Sequence, residues 1–458
     1  MKGEINMEEK IEEIEKIRKL VEEKKLNELR EVLNNLNSVD ISTILEELSD
    51  DLDKEKLLIA FRLLTKENAG EVFSYFSPEM QERLIQDLTD AELKNVINEL
   101  YMDDKVDLLE EMPSDVVERI LKNVKSTDRE TINELLKYPE DSAGSIMTTE
   151  FVDLEEDMTV EEALQRIKQI GIDKETIYYC YVLTKGRKLS GIIDLKRLVI
   201  RDDTEIIKDI METNVIKVTT LEDKEDVAKA FNKYNFLALP VVDNEDKLVG
   251  IVTVDDAMDV MQDEATEDLE KMAAMAPTED SYFATGVFKH AKNRVVWLLI
   301  LMLSATITGG IITKYENAFA AIPILVSFIP MIMDTGGNCG SQSSTLVIRG
   351  LATDEIKTKD VLRVIWKETR VALIVGIALA IVNAISVLLQ YRNIMLAITL
   401  GITLMLTVIL AKLIGCCLPL LAKKLKLDPA LMASPLITTI VDTCSILIYF
   451  NIATLIML

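Results

Sequence analysis

The chain has 458 residues, 77 acids against 51 bases and a net charge of −26, yet 49% of it is apolar. From Lys289 onward it holds 15 Lys/Arg and 8 Asp/Glu, a balance of +7, which leaves −33 on residues 1–288. That division excludes a single soluble domain and makes nucleic acid an unsuitable partner, because phosphates need a basic face; a cation fits better.

The length allows about three domains. The first ten residues are too charged for a cleaved signal peptide, so the soluble part is expected in the cytoplasm. Residues 1–135 predict an all-helical domain, a small solenoid or an ordinary bundle. Amphipathic patterns recur there, Gly and Pro are rare, and breaks fall at helix-start signals: Ser77-Pro78, Asp87-Leu88-Thr89-Asp90 and Pro113-Ser114-Asp115. The five cysteines (180, 339, 416, 417, 444) lack CxxC pairing and read as packed positions. The single histidine, His290, argues against imidazole catalysis and His-rich metal sites, which leaves oxygen ligands.

Residues 136–263 contain an internal repeat. Ile146-Met147-Thr148-Thr149 opens one copy and Ile210-Met211-Glu212-Thr213 the other, 64 positions later. Each copy runs through an amphipathic helix (160–167; 227–234), an apolar strand, a polar turn and a Gly-containing strand (189–194; 248–253). Order and length resemble a tandem pair of CBS domains, a regulatory α/β module.

From Val295 the chain reads as membranous. The uncharged run 295–313 has 19 residues, enough to cross a bilayer at about 20 residues per span. Further runs at 318–333, 371–389, 394–421 (broken by Lys412) and 430–458 make five expected spans. Bases cluster before the first span, after the second and after the fourth. This places the N-terminus in the cytoplasm and the C-terminus outside.

Two segments break the apolar rule. In Pro330-Met331-Ile332-Met333-Asp334-Thr335-Gly336-Gly337-Asn338-Cys339-Gly340-Ser341-Gln342-Ser343-Ser344-Thr345, a straight helix from Asn317 to Arg349 would be about 48 Å long, beyond a core of about 30 Å. The proline and glycines therefore predict a kinked or interrupted helix with oxygens facing protein or water, or else close packing through small residues. In the second, Asp428 to Asp442, the acid Asp442 lies deep in the last span and suggests a carboxylate lining a cation path. Ser434, Thr438 and Thr439 can add hydroxyls to the same wall. Lys412 is the candidate partner for a structural pair with Asp442.

These segments, with Tyr138-Pro139-Glu140-Asp141-Ser142-Ala143-Gly144 before the repeats, resemble the MgtE family of magnesium channels and transporters over essentially the whole chain. The resemblance implies a homodimer with a pore on its two-fold axis and Asp442 as pore carboxylate. Asp428 would be the acid at the cytoplasmic start of the last span, and Asn338, Gln342 and Thr345 lie in the second-span motif. Carboxylate, hydroxyl and amide oxygens without histidine independently suit a hard cation such as Mg2+, Ca2+ or Mn2+.

A third constellation is acidic. Asp255, Asp256 and Asp259 end the second repeat, and a helix from Asp263 puts Asp263, Glu264, Glu267 and Asp268 on one face, where like charges repel. This reads as a divalent-cation sensor. By resemblance it is the plug helix, with Asp256, Asp259, Glu264, Glu267 and Asp268 as sensing acids and Glu225, Asp103 and Asp104 as partners.

The expected architecture is thus a multi-domain integral membrane protein. An all-α N-terminal domain (1–135) precedes α/β tandem CBS domains (136–256), an acidic connecting helix (257–285) and an α-helical transmembrane domain with five spans (286–458). The expected function is a Mg2+-selective, homodimeric import channel of the cell membrane, gated by cytosolic Mg2+. The alternatives are a nucleotide-regulated Mn2+/Co2+ transporter, in which Thr253 and Asp256 would meet ATP in the T-x-x-D pattern, or a non-transporting membrane scaffold. No Walker loop or nucleophile elbow supports an enzyme.

Overall fold

The computed structural model describes residues 7–49, 52–278, 282–283, 285–316 and 322–457, without the side chains of residues 7–10 and of Ser434. It divides into two units, Met1–Gln262 and Asp263–Leu458.

The first unit opens with ten helices, from α1 (Met7–Glu22) to α10 (Ser126–Leu135). The expected break signals are helix starts. Pro78 is the first residue of α6 (Pro78–Asp87), where its missing N–H costs nothing. Thr89 and Glu92 close a capping box on α7 (Asp90–Glu99), and α9 (Ser114–Asn123) follows Pro113. The odd-numbered helices α1, α3 (Ser38–Ser49), α5 (Lys66–Ser74), α7 and α9 stack in chain order, which is solenoid packing. Leu29, Ile41, Leu45, Phe73 and Ile97 lie in their shared apolar core.

The linker motif then becomes backbone pairing. Ala143 N–H donates to Glu222 O (2.7 Å) and Gly144 N–H to Thr220 O (3.0 Å). A Cβ on Gly144 would meet the Tyr138 ring at 2.5 Å, so the motif zips the helical domain onto the second repeat.

Each repeat is a three-stranded sheet. β1 (Val152–Glu155) runs parallel to β2 (Tyr179–Leu183), which is antiparallel to β3 (Leu189–Asp194). β4 (Val218–Thr219), β5 (Ala238–Val242) and β6 (Leu248–Thr253) repeat the pattern. The crossovers contain α11 (Val160–Ile170) and α14 (Lys224–Tyr234); the short α12 (Leu195–Ile200) and α13 (Ile207–Ile210) lie between the copies. The copies interlock reciprocally: Thr148 bridges Ile251 and Glu212 bridges Ile192. Each opening methionine seats on the other copy's glycine. A Cβ on Gly250 would meet Met147 Sδ at 2.7 Å, and one on Gly191 would meet Met211 Sδ at 2.6 Å. The acidic helix is not a separate element: α15 (Val254–Met272) runs unbroken for 19 residues through the division expected at 256/257.

The second unit is a helical bundle of α16 (Val287–Lys314), α17 (Ile329–Ala352), α18 (Val361–Tyr391), α19 (Ile394–Lys424) and α20 (Ser434–Met457). Among the described residues, four helical segments, containing α16, α18, α19 and α20, are long and apolar enough to cross a membrane. The remaining expected span, 318–333, overlaps residues 317–321, outside those described, and the start of α17. The break expected between Asn317 and Arg349 falls at the 3-10 turn Pro323–Phe328, and its expected link to the glycines is corrected: α17 is one continuous helix of 24 residues. Its glycines are packing notches. A Cβ on Gly340 would meet Ile437 at 2.7 Å, one on Gly337 would meet Thr438 at 2.9 Å, and Gly415 of α19 lies against the Gly340 backbone. Tyr449, buried in α20, donates its hydroxyl to Leu325 O (2.8 Å) and fixes the turn.

Candidate cation pathway and cation-sensing acids

Asp334, Asn338, Gln342 and Thr345 follow one another at helical spacing along α17 and are all exposed, whereas Gly336, Gly337, Gly340, Ser343 and Ser344 are buried. The notched face packs on α19 and α20, so the polar stripe points out of the bundle. Asp442, half-buried on α20, has Asp334 as charged neighbour, which brings an acid not assigned from sequence next to the one that was. Thr438 and Thr439 lie one turn earlier, and their hydroxyls donate to Pro435 O (2.9 and 2.8 Å). Ser434 opens α20; its side chain lies outside those described.

The pairing of Lys412 with Asp442 is also corrected. Lys412, 4% exposed, lies 3.9 Å from Glu368 of α18 and donates to Ser343 Oγ (3.2 Å), and Ser343 donates to Glu368 (2.6 Å). Glu368 was missed because it lies within the cluster of bases at 349–370, between Lys367 and Arg370, and reads there as an inner-loop charge.

In the first unit, acids converge where α8 (Met102–Glu111) meets the repeats. Burial pushes Asp103 up, reinforced by Asp256, Asp104 and Glu175. Burial likewise takes Asp104 to about 6, with Asp255 adding to it, and Asp256 to about 7 although the Thr253 hydroxyl donates to it at 2.6 Å. Glu175 goes to about 8 through burial and the charges of Asp255 and Asp256, and its Oε2 has no hydrogen-bond partner. Glu150 joins them, its carboxylate accepting from Met102 N–H at the start of α8 (3.2 Å); the sequence pointed to Asp103, Asp104 and Asp256 but not to Glu175 and Glu150, which no motif marks. Asp259 is exposed on the next turn of α15. Glu225 instead pairs with Lys229 on its own helix (2.7 Å). Among the described residues, no three acids, cysteines or histidines are close enough to hold a metal directly. This donor set suits a cation that keeps its water, as Mg2+ does.

Glu264, Glu267 and Asp268 are half-buried on the last turns of α15. Glu267 pairs with Lys271, which also reaches Asp428 at 2.7 Å. Asp428 accepts from Ala430 N–H (2.8 Å) and so caps the turn Pro429–Met432 leading into α20.

The junction acids imply a pH dependence. Carboxyls raised in the folded protein contribute stability that is complete below their ordinary values and lost as pH rises through about 6, 7 and 8. Without divalent cations, thermal stability should therefore fall between about pH 5 and about pH 8.5, and Mg2+ should restore it at the upper end. A metal-free melting temperature that is flat or rises across this window would contradict the account.

Family models match most of the chain: "MgtE intracellular N domain" over residues 37–141, "CBS domain" over 143–201 and 207–263, and "Divalent cation transporter" over 329–452. The magnesium transporter MgtE of Thermus thermophilus is 36% identical over 94% of this chain and 95% of its own length. That of Bacillus subtilis is 34% identical over 94% of each. The crystal structure of the soluble part of a magnesium transporter matches with TM-score 0.52 and 32% identity, covering 56% of this chain and 99% of that one. The cytosolic domain of the Mg2+ channel MgtE in complex with ATP matches with TM-score 0.50 and 37% identity, covering 53% and 98%. With full-length relatives above 30% identity, a repeat pair with the element order expected from sequence and a bundle carrying a polar stripe, the chain belongs to the MgtE family of magnesium transporters.

Proposed function

We propose that the protein is a homodimeric, Mg2+-selective import channel with five spans per chain, a cytoplasmic N-terminus and an external C-terminus, closed by cytosolic Mg2+. The carrying observation is the exposed stripe Asp334–Asn338–Gln342–Thr345 beside Asp442. Such a face is too polar for lipid and needs water and a second protein surface, which a second copy supplies. Asp442 from each copy, with Asn338, Gln342, Thr345, Ser434, Thr438 and Thr439 along the walls, would guide a largely hydrated ion. Asp103, Asp104, Glu225, Asp256, Asp259, Glu264, Glu267, Asp268 and Asp428 would bind regulatory Mg2+.

The gate follows from electrostatics. Without Mg2+ the junction acids repel one another and the closed arrangement loosens; Mg2+ cancels that repulsion and favours closure. A ligand shifts such an equilibrium only through its differential affinity for the two states. Limited proteolysis of the whole protein in detergent tests this: cleavage after α10 and within the repeats should slow at least several-fold between micromolar and ten-millimolar Mg2+. Equal cleavage at both ends of the range would remove the sensor.

A nucleotide-regulated transporter is the second reading. It is supported by the ATP complex of a 37%-identical cytosolic domain and by Thr253 and Asp256, already hydrogen-bonded to each other here at 2.6 Å. ATP that shifts the Mg2+ dependence of the same cleavage would favour it.

A further inference from the structure

The second unit holds one acid pair whose place for a cation is taken by the chain itself. Lys271 lies in the last turn of α15, one turn after Glu267, and its ammonium bridges Glu267 and Asp428, the latter at 2.7 Å. The site is half-enclosed: the side chains of Lys271, Glu267 and Asp428 are 20, 34 and 30% exposed. Asp428 also caps the turn into the last helix, so the ammonium joins the end of the acidic helix to the root of the span that carries Asp442.

A lysine ammonium is a compact, strongly hydrated point charge on a flexible stem. It meets the same carboxylate oxygens that would attract a hydrated divalent ion, and it is attached at zero cost in translational freedom. One ammonium leaves the pair with a net charge of −1, so a doubly charged ion gains more from these oxygens than the lysine does, but it must first displace it.

We infer that Lys271 is a tethered competitor that fills the Glu267–Asp428 pair when divalent cation is scarce and so sets the Mg2+ concentration at which the channel closes. This rests on the gating reading above. A lysine that instead held the closed state together would have the opposite effect on removal, which makes the sign of the change decisive.

The test is Lys271→Met in the full-length protein, which keeps most of the stem and removes the charge, with Lys271→Gln as a second neutral variant and Lys271→Arg as the conservative one. The readout is the Mg2+ concentration giving half-maximal closure, measured as flux into liposomes loaded with graded internal Mg2+. Both neutral variants should close at a concentration lower by about fivefold or more, within the usual range of coupling between sites, while Lys271→Arg stays near wild type. Unchanged or raised half-closure in the neutral variants, with wild type responding normally, would overturn the competitor role and leave the gating reading intact. A wild type that does not respond to internal Mg2+ would overturn both.

Discussion

Replacing Asp442 by asparagine should reduce Mg2+ uptake about tenfold or more in cells that depend on this protein for the ion. The substitution keeps the size of the side chain and its ability to accept a hydrogen bond, so packing beside Thr438 and Thr439 is preserved and only charge is lost. In a dimer two charges go at once, from a place where low dielectric makes each count more than in water. A loss of only about 1.4 kcal/mol of attraction is already a factor of about ten in occupancy. Asp334→Asn should cost less, because Asp334 is exposed whereas Asp442 is half-buried. Radiotracer-free uptake, followed by growth rescue in a strain lacking other importers and by total cell Mg2+, would check both. Undiminished uptake by Asp442→Asn, with the variant present in the membrane at normal level, would remove Asp442 from the ion path.

The repeats were fully legible in the sequence. The strands expected at 189–194 and 248–253 have the observed bounds of β3 and β6, because apolar strands with a fixed glycine and a polar turn before them leave little choice of register. The reason for those glycines was not legible: they accept the methionine of the opposite copy, a contact set by how the two copies pack and not by spacing within either one. The polar stripe was read in composition but not in shape. Glycine signals a break along one helix, yet it is also the residue that lets two helix backbones touch, and only the neighbours Ile437, Thr438 and Gly415 decide between these. The acids proposed as sensors show a similar limit. A run of charge on one helix face is visible from spacing alone, which identified Glu264, Glu267 and Asp268. Glu175 comes to Asp256 through the fold of the first repeat, and Lys271 looked like an ordinary base at a helix end until Asp428 was found beside it.

Lys412→Met should destabilise the membrane domain strongly, by about 3–5 kcal/mol, the usual cost of leaving one member of a buried ion pair without the other. Glu368 is 8% exposed and would lose its cationic partner, with the Ser343 hydroxyl still donating to it. Counting residues along the spans had suggested Asp442 as the partner, since depth alone was available and the facing side was not. The pairing with Glu368 changes the expected outcome: Lys412→Met should unfold the bundle while leaving the charge of the ion path untouched. The double variant Glu368→Gln/Lys412→Met removes both charges and keeps an amide for Ser343, so it should recover most of the lost stability. Glu368→Gln alone should fall between the two, because an ammonium retains the Ser343 oxygen as acceptor. Thermal aggregation of the detergent-solubilised protein, followed by size-exclusion chromatography, ranks the three. If the double variant is no more stable than Lys412→Met, the two charges are not coupled. Residual Mg2+ flux in the double variant then separates roles: flux near wild type marks the pair as a clamp among α17, α18 and α19, set back from the ion's route.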